Sequence, residues 1–441
     1  MTAKPFGTAM RTADVLQVAR ELGRNGHQAV DDDTPLLLPA EPKWPDDIDT
    51  WAYYGLAGDI VRLILPHTEA DPVALLVNFL VAFGNAANRS AYFVADGARH
   101  YMNENAALVG PTSKGRKGTS WAQIETLMRA IDPAWADNIA SGLVSGEGVI
   151  YHVRDETRAG HEITDPGVRD KRLMVVESEF AGILRVVARD GNTLSPILRI
   201  GWDTGNLRSL SKNSPLKATG AHLSILGHVS RDETLKYLGD VEISNGLANR
   251  FLWAAVRRSK VLPEGGEKVD WVGHGIIERA HQALQAAYSM GEMVRDDAAR
   301  YEWAQVYPEL SEGKLGLVGS ATARGEAHVL RLSMIYAALD SSPVIQWEHL
   351  QAGLAVWNYC YQSAEYIFGA SSGNPMADAI LAELKAHPDG MTRTEIRKLL
   401  GTHAQKGDIE NALALLAKTG AATHEELQTG GKPKQIWRTR P

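Results

Sequence analysis

A lysine and two hydroxyl residues, set among glycines directly after an apolar run, are the residues of this 441-residue chain best suited to chemistry. They lie in Ala107-Leu108-Val109-Gly110-Pro111-Thr112-Ser113-Lys114-Gly115-Arg116-Lys117-Gly118-Thr119-Ser120. Glycines let successive backbone N–H groups curl around phosphate oxygens, and a following helix N-terminus adds partial positive charge. A lysine neutralises the β and γ phosphates, and a Ser or Thr hydroxyl ligates Mg²⁺. The strict G-x-x-x-x-G-K-[ST] spacing does not fit. With Gly110 and Gly115 in frame, Arg116 falls on the lysine position and Lys117 on the hydroxyl. Sliding by one residue places Lys117 on the phosphates, with Thr119 or Ser120 on the metal. We favour this frame because a planar guanidinium replaces a compact point charge poorly. The expected ATP-binding residues are Gly110, Gly115, Lys117, Gly118, Thr119 and Ser120. The plain alternative is a basic surface turn.

Downstream, Arg172-Leu173-Met174-Val175-Val176-Glu177-Ser178-Glu179-Phe180 is an apolar strand ending in two carboxylates. ATPases with a phosphate loop place one acid there for Mg²⁺ and another to polarise the attacking water. A core strand with solvated acids at its end has the same pattern. A further strand, Leu223 to Leu226, ends at Gly227-His228, where a polar side chain can sense the γ-phosphate. Arg250 precedes the apolar strand Phe251 to Val256, and Arg257-Arg258 follow it. An arginine at a strand edge either stabilises transition-state charge across a subunit interface or forms an ordinary salt bridge.

These segments need an α/β scaffold to bring them together. Residues 1–50 read as an arm or linker, with a short helix at Thr12 to Leu22 and prolines 35, 39, 42 and 45. Residues 51–88 are helical in pattern. Residues 89–262 carry strands at Arg89 to Gly110 (turning at Asp96-Gly97), 173–176, 223–226 and 251–256, with a helix at Trp121 to Ile131. Residues 263–368 become mostly helical, 369–375 form a linker, and 376–441 a separate module. In that module the periodicity predicts helices at 376–386, 391–401 and 407–419, then a hairpin turning at Gly430-Gly431. Three helices and a hairpin resemble a winged helix. Its tip carries Lys432, Lys434, Arg438 and Arg440, so phosphate contact by Lys432, Lys434 and Arg438 is expected, with protein docking as the alternative.

Charge and composition bound the reading. The net charge is −7, which excludes a basic coat that holds DNA by bulk charge. Residues 391–441 hold nine Lys/Arg and five Asp/Glu, a local +4 that leaves −11 elsewhere. A single cysteine, Cys360, excludes a disulfide framework and suits a reducing cytoplasm. The longest apolar stretch, Ala74 to Phe83, is interrupted by Asn78 and falls short of the ~20 residues that span a bilayer. No signal peptide is read at the N-terminus, and a soluble cytoplasmic protein without a membrane partner is expected.

Several motifs in order carry a resemblance over roughly residues 50–370. GPTSKGRKGTSW (110–121), SGEG (145–148), VVESEF (175–180), ATGAHLSILGHVS (218–230) and NGLANRFLWAAVRRS (245–259) resemble a helicase-like family of phage, plasmid and prophage ATPases often fused to a primase-polymerase module. A more distant resemblance is to the minichromosome-maintenance helicases of the AAA+ class, whose acid-bearing strand ends in acid, acid, Phe. What these resemblances imply is a P-loop (AAA+/RecA-like) ATPase core with a helical N-terminal segment, a helical lid and a C-terminal winged-helix domain. They imply Glu177 on Mg²⁺ and Glu179 activating water, or the two roles exchanged since Ser178 stands between them, His228 as a sensor, Arg250 as a finger on a neighbour's ATP, and Arg324 as the ATP-binding lid arginine, with Arg331 the second arginine of its helix. His228 stands where that class has Asn, and Glu177 where it has Asp. The implied protein is a DNA helicase of a mobile element that uses ATP and Mg²⁺ on single-stranded or forked DNA. It would assemble as a homo-oligomer, a hexamer by resemblance, beside a separate primase or replication-initiation protein. The insert Ser145 to Lys171 is the candidate pore loop, with Arg154, Arg158 and Lys171 as its available cations, although solvated surface is the favoured reading for each. The rival readings are a nucleotide-controlled assembly switch without unwinding, and a loop that binds nucleotide without turnover.

Overall fold

The computed structural model describes residues 42–210, 215–238, 246–313, 316–369, 375–400, 406–418, 420–427 and 434–439. The arm up to residue 41, the Gly430-Gly431 turn, Lys432, Arg440 and most of the 369–375 linker lie outside the described residues.

Five strands form the centre of the fold, three of them fully buried and so read as apolar runs, the edge strand at Ile139–Ala140 half-buried. They are β1 (Ala106–Val109), β2 (Ile139–Ala140), β3 (Arg172–Glu177), β4 (His222–Val229) and β5 (Leu252–Ala255). They form one parallel sheet in the order β5-β1-β4-β3-β2. Alternate side chains sort into two cores. Ala106, Leu108, Met174, Leu226 and Leu252 face one helical layer, and Ala107, Val109, Val175, Ile225 and Trp253 face the other. The result is a three-layer α/β/α arrangement, the class expected from alternating strands and helices.

The first layer centres on α1 (Pro72–Ala86), where Asp71 caps the first turn through Val73 N–H and proline occupies the first helical position. This helix is apolar all round and almost wholly buried, as expected of a helix packed on every side. Of its two asparagines, Asn78 donates to Ser120 Oγ while its Oδ1 has no partner among the described residues, and Asn85 uses both ends of its amide. Asn85 bonds the Leu173 and His222 carbonyls and accepts from Trp135 Nε1 at 2.8 Å. Helices α2 (Lys117–Ile131), α5 (Gly325–Leu339) and α6 (Trp347–Phe368) pack into the same cluster. The segment read from sequence as a lid therefore shares a continuous core with the N-terminal helices. The opposite layer contains α3 (Phe180–Val187) and α4 (Leu194–Asp203).

The strand turning at Asp96-Gly97 forms the expected hairpin, Tyr92–Ala95 with Ala98–His100. Its continuation escaped periodicity: the distant Glu292–Arg295 and Val344–Ile345 extend it into a second, four-stranded sheet. Short hairpins also interrupt the core at 157–165 and 207–218.

The C-terminal residues build their own core from α7 (Pro375–Ala386), α8 (Arg393–Leu399) and α9 (Lys406–Lys418). Ile380, Leu384, Ile396, Leu413, Leu416 and Trp437 fill it. Thr392 and Glu395 form the capping box expected at the second helix. Ala422–Leu427 pairs antiparallel with Lys434–Thr439, and Met391–Thr392 adds a third strand that the sequence pattern did not reveal.

Candidate nucleotide site

The glycine-rich loop leaves β1 at the carboxyl edge of the sheet, beside the ends of β4 and β5. Gly110 N–H donates to Val229 O at 3.1 Å. A Cβ on Gly110 would stand 2.1 Å from Val256 O, so only glycine fits between the strands. Gly115 is buried and closes the turn by donating to Pro111 O at 3.1 Å. Ser113 and Arg116 adopt left-handed backbone with φ of 55° and 51°, which folds the chain sharply before α2 begins at Lys117. The helix thus starts four residues before the predicted Trp121, because glycine at position 118 is tolerated in a first turn whose N–H groups have no intrahelical acceptor.

The two basic residues in question occupy different places. Lys117 folds back over the loop, its Nζ donating to Gly110 O at 2.7 Å and Pro111 O at 3.1 Å. Burial lowers its pKa. Arg116 turns away, its Nε 2.6 Å from Glu69 Oε2. Glu69 also accepts from Leu262 N–H and pairs with Arg258; the backbone bond first, then the arginines, hold its carboxyl down to about 2. The hydroxyls differ as well. Thr119 is exposed in the first turn, whereas Ser120 is fully buried, donates to Lys117 O at 2.6 Å and accepts from Asn78 Nδ2 at 3.0 Å.

Strand β4 separates the loop strand from the acid-bearing strand. Adjacent strands lie ~4.8 Å apart, so β1 and β3 stand about 9.6 Å from one another. Glu177, Gly227 and Ala107 share one row across the three strands. Gly227 has no side chain because the Phe180 ring occupies the space, with Cγ 2.4 Å from where a Cβ would be. Glu177 is nearly buried, and its Oε1 accepts from Gly142 N–H at 2.6 Å and Leu143 N–H at 2.9 Å, on the β2 side of the strand. Glu179 is exposed at the start of α3. His228 is 4% exposed and its Nε2 has no hydrogen-bond partner. Burial first, then the Lys117 charge, pushes its pKa down to about 4, so the imidazole is neutral at pH 7.

Arg250 and Arg324 lie elsewhere. Asn105, which precedes β1, donates from Nδ2 to Arg250 O at 3.0 Å, placing Arg250 at the amino edge of the sheet. Five residue steps of ~3.3 Å separate Asn105 from Gly110, about 16 Å. That distance exceeds the reach of an arginine side chain, so Arg250 does not meet the loop of its own chain. Its guanidinium clasps Asp203 in two bonds, Nη2–Oδ2 at 2.6 Å and Nε–Oδ1 at 3.1 Å, and also bonds Gly246 O. Arg324 Nη1 lies 3.6 Å from the same carboxylate, so it too belongs to the amino edge. Arg331, on α5, is fully buried and bonds Asn103 O and Trp202 O, an architectural role.

Among the described cations expected to meet DNA, several are engaged within the chain. Arg438 Nη1 lies 2.8 Å from Glu425 Oε2, while Lys434 is exposed. In the 145–171 insert Arg154 pairs with Asp165, Arg158 with Glu156 and Lys171 with Asp155. Among the described residues no group of three or more His, Cys, Asp or Glu side chains could hold a metal by itself. No helix among them is long and apolar enough to cross a membrane.

Sequence reasoning missed Asp203, Asn78 and Glu69. Each acts across 42 or more residues. The one local signal was Asn78, the polar residue that interrupts the apolar stretch Ala74 to Phe83. No family model and no curated protein matches the chain.

Proposed function

We propose that this chain is a P-loop ATPase of the AAA+/RecA-like type, an ATP-driven DNA helicase or translocase whose ATP sites are shared between copies in a ring. The observation that carries the reading is the loop itself. Lys117 is desolvated over the loop carbonyls, at the mouth of a helix N-terminus, with a neutral buried imidazole beside it. Such a lysine exchanges carbonyl oxygens for phosphate oxygens when a triphosphate enters, and the first-turn N–H groups of α2 complete the cradle. The loop and the two acids leave the same carboxyl edge of the sheet, one strand apart, so a γ-phosphate and a water beyond that edge would lie between them. Glu179, exposed on that edge, orients the water, and His228 contacts the γ-phosphate from β4.

Mg²⁺ bound with ATP supplies charge neutralisation at the β and γ phosphates. Thr119 fits as its hydroxyl ligand because it is exposed, whereas Ser120 is committed to Asn78 and Lys117 O. Glu177 would hold the ion on the strand side. A site of this kind needs few protein ligands, since the phosphates and water provide the remainder.

A single chain carries the loop on one sheet edge and Arg250 with Arg324 on the other. Both arginines then serve the ATP of an adjacent copy, Arg250 as the finger and Arg324 as the lid arginine. The C-terminal module serves as a winged helix that contacts DNA phosphates through Lys432, Lys434 and Arg438.

A second reading, a nucleotide-controlled assembly switch whose module docks protein, draws support from the internal pairing of Arg438, Arg154, Arg158 and Lys171. DNA-stimulated ATP hydrolysis with strand displacement supports the motor; nucleotide-dependent assembly without displacement supports the switch. Shared sites are tested by mixing Arg250→Ala with Lys117→Ala chains. Each variant damages a different half of the site, so mixed rings regain intact interfaces and part of the ATPase. Absence of recovery at every ratio means that sites are complete within one chain, and the reading fails.

A further inference from the structure

The amino-edge cluster holds more cation than it neutralises. Arg250 and Arg324 share the single carboxylate of Asp203, and the Trp202 indole lies beneath both guanidiniums, with ring centroids 5.8 Å and 5.5 Å away. Arg331 stacks on the same indole at 3.6 Å. The positive field of Arg331, Arg324 and Arg295 contributes, after burial, to pushing the His100 pKa down to about 4. Glu104 and Glu326 are the further acids that act on Arg331 and Arg324. The two arginines differ in freedom. Arg250 is 7% exposed and held in two bonds by the carboxylate, whereas Arg324 is 37% exposed at a looser 3.6 Å. Asp203 itself is 32% exposed, so another anion can reach the place it fills.

We propose that Asp203 is a positioning residue that stands in for phosphate: it holds Arg250 and Arg324 in register while no neighbour is present, and it yields them to the γ-phosphate of an adjacent copy's nucleotide. This rests on the shared-site reading above and adds its regulation. Two charged carboxylate–guanidinium contacts are exchanged for phosphate–guanidinium contacts of the same geometry, since a guanidinium fork matches either anion. Competition with Asp203 therefore weakens nucleotide-dependent association. The carboxylate sits at the C-terminal end of α4, where the helix dipole disfavours negative charge, which eases its displacement.

The test measures specific ATPase of the full chain against protein concentration, with ATP and Mg²⁺, for wild type, Asp203→Asn and Asp203→Glu. Removing the competing charge lowers the concentration at half-maximal activity by about fivefold, the scale of a half-exposed ion pair. The Glu variant keeps the charge and stays within about twofold of wild type. Thermal unfolding establishes that each variant is folded, and Asp203→Ser replaces Asn if that variant is not. A folded neutral variant whose midpoint is unmoved or raised assigns Asp203 a merely architectural role and overturns the proposal. A wild-type activity independent of concentration removes the shared-site reading itself, and the proposal with it.

Discussion

Lys117 and Arg116 are adjacent in sequence, and exchanging either for alanine separates two frames of the loop. Lys117 Nζ is within 2.7 Å and 3.1 Å of two loop carbonyls, and burial lowers its pKa, so its charge is already partly stripped of water. A hydrogen bond from such a cation to phosphate is worth about 1.5–3 kcal/mol. Lys117→Ala should therefore weaken ATP binding roughly 10- to 160-fold. Arg116→Ala loses an ion pair to Glu69 whose arginine is 38% exposed. Glu69 keeps Arg258 and the Leu262 N–H, so the loss of stability is at most about 1 kcal/mol. ATP affinity then changes by less than about threefold. Isothermal titration of the full chain with a non-hydrolysable ATP analogue and Mg²⁺ measures both. A larger loss for Arg116→Ala than for Lys117→Ala refutes the frame.

Glu179→Gln should leave nucleotide bound but uncleaved, whereas Glu177→Gln can still accept the Gly142 and Leu143 N–H groups and should keep its melting temperature within about 2 °C while losing turnover; normal hydrolysis by both reduces the segment to a core strand. Phosphate arriving beside His228 raises a pKa now near 4, so ATP binding at pH 6 should take up part of a proton in buffers of differing ionisation enthalpy, and His228→Gln should abolish that uptake. The lowered pKa values of His222, about 3, and His228, about 4, mean that the unfolded chain binds more protons below its ordinary value near 6.5. Stability should hold above that pH and fall between about 6.5 and 4, by up to ~1.4 kcal/mol per pH unit for each imidazole; a flat urea-denaturation profile from pH 7 to 5 contradicts the burial argument. Gly110→Ala should destabilise the chain by about 2–4 kcal/mol, because its Cβ would meet Val256 O at 2.1 Å, and thermal unfolding decides this.

Four of the five strands of the parallel sheet were legible because continuous apolar runs bounded by glycine and charge have few other uses, whereas the two-residue, half-buried Ile139–Ala140 offered no such run. The capping box at Thr392 and the turn at Asp96-Gly97 were equally local and equally visible. What sequence hid was every pairing at long range. Ser120 looked as suitable for a metal as Thr119 until Asn78, on another helix, claimed it. Arg154, Arg158 and Lys171 read as free cations, but a hairpin register brings Arg154 to Asp165, and Lys171 reaches Asp155, sixteen positions away. Glu177 pointed to the loop by its place in a motif, while the backbone after β2 offered it two N–H donors. Local pattern fixes the strand on which a group sits and which residue precedes a glycine. It does not fix which of two equivalent side chains is already spent.

Arg250 and Arg324 carry this point into function. The shared carboxylate at Asp203 joins residues that lie 74 positions apart into one unit, and puts that unit about 16 Å from the loop in the same chain. Two complementary half-sites on opposite edges define a head-to-tail contact. Repetition of such a contact either closes into a ring or grows into a filament. In the proposed ring every loop meets one pair of arginines and no half-site is left over. In a filament the terminal copies each keep one half unused. In that proposed ring the triphosphate would lie at the junction, its charge would link the two edges, and hydrolysis would remove the γ-phosphate that the arginines hold. On the proposed reading Asp203 would then recapture them, and each turnover would loosen one interface. A ring of this kind changes shape at one junction at a time, which is the mechanical property that directional movement along a strand requires.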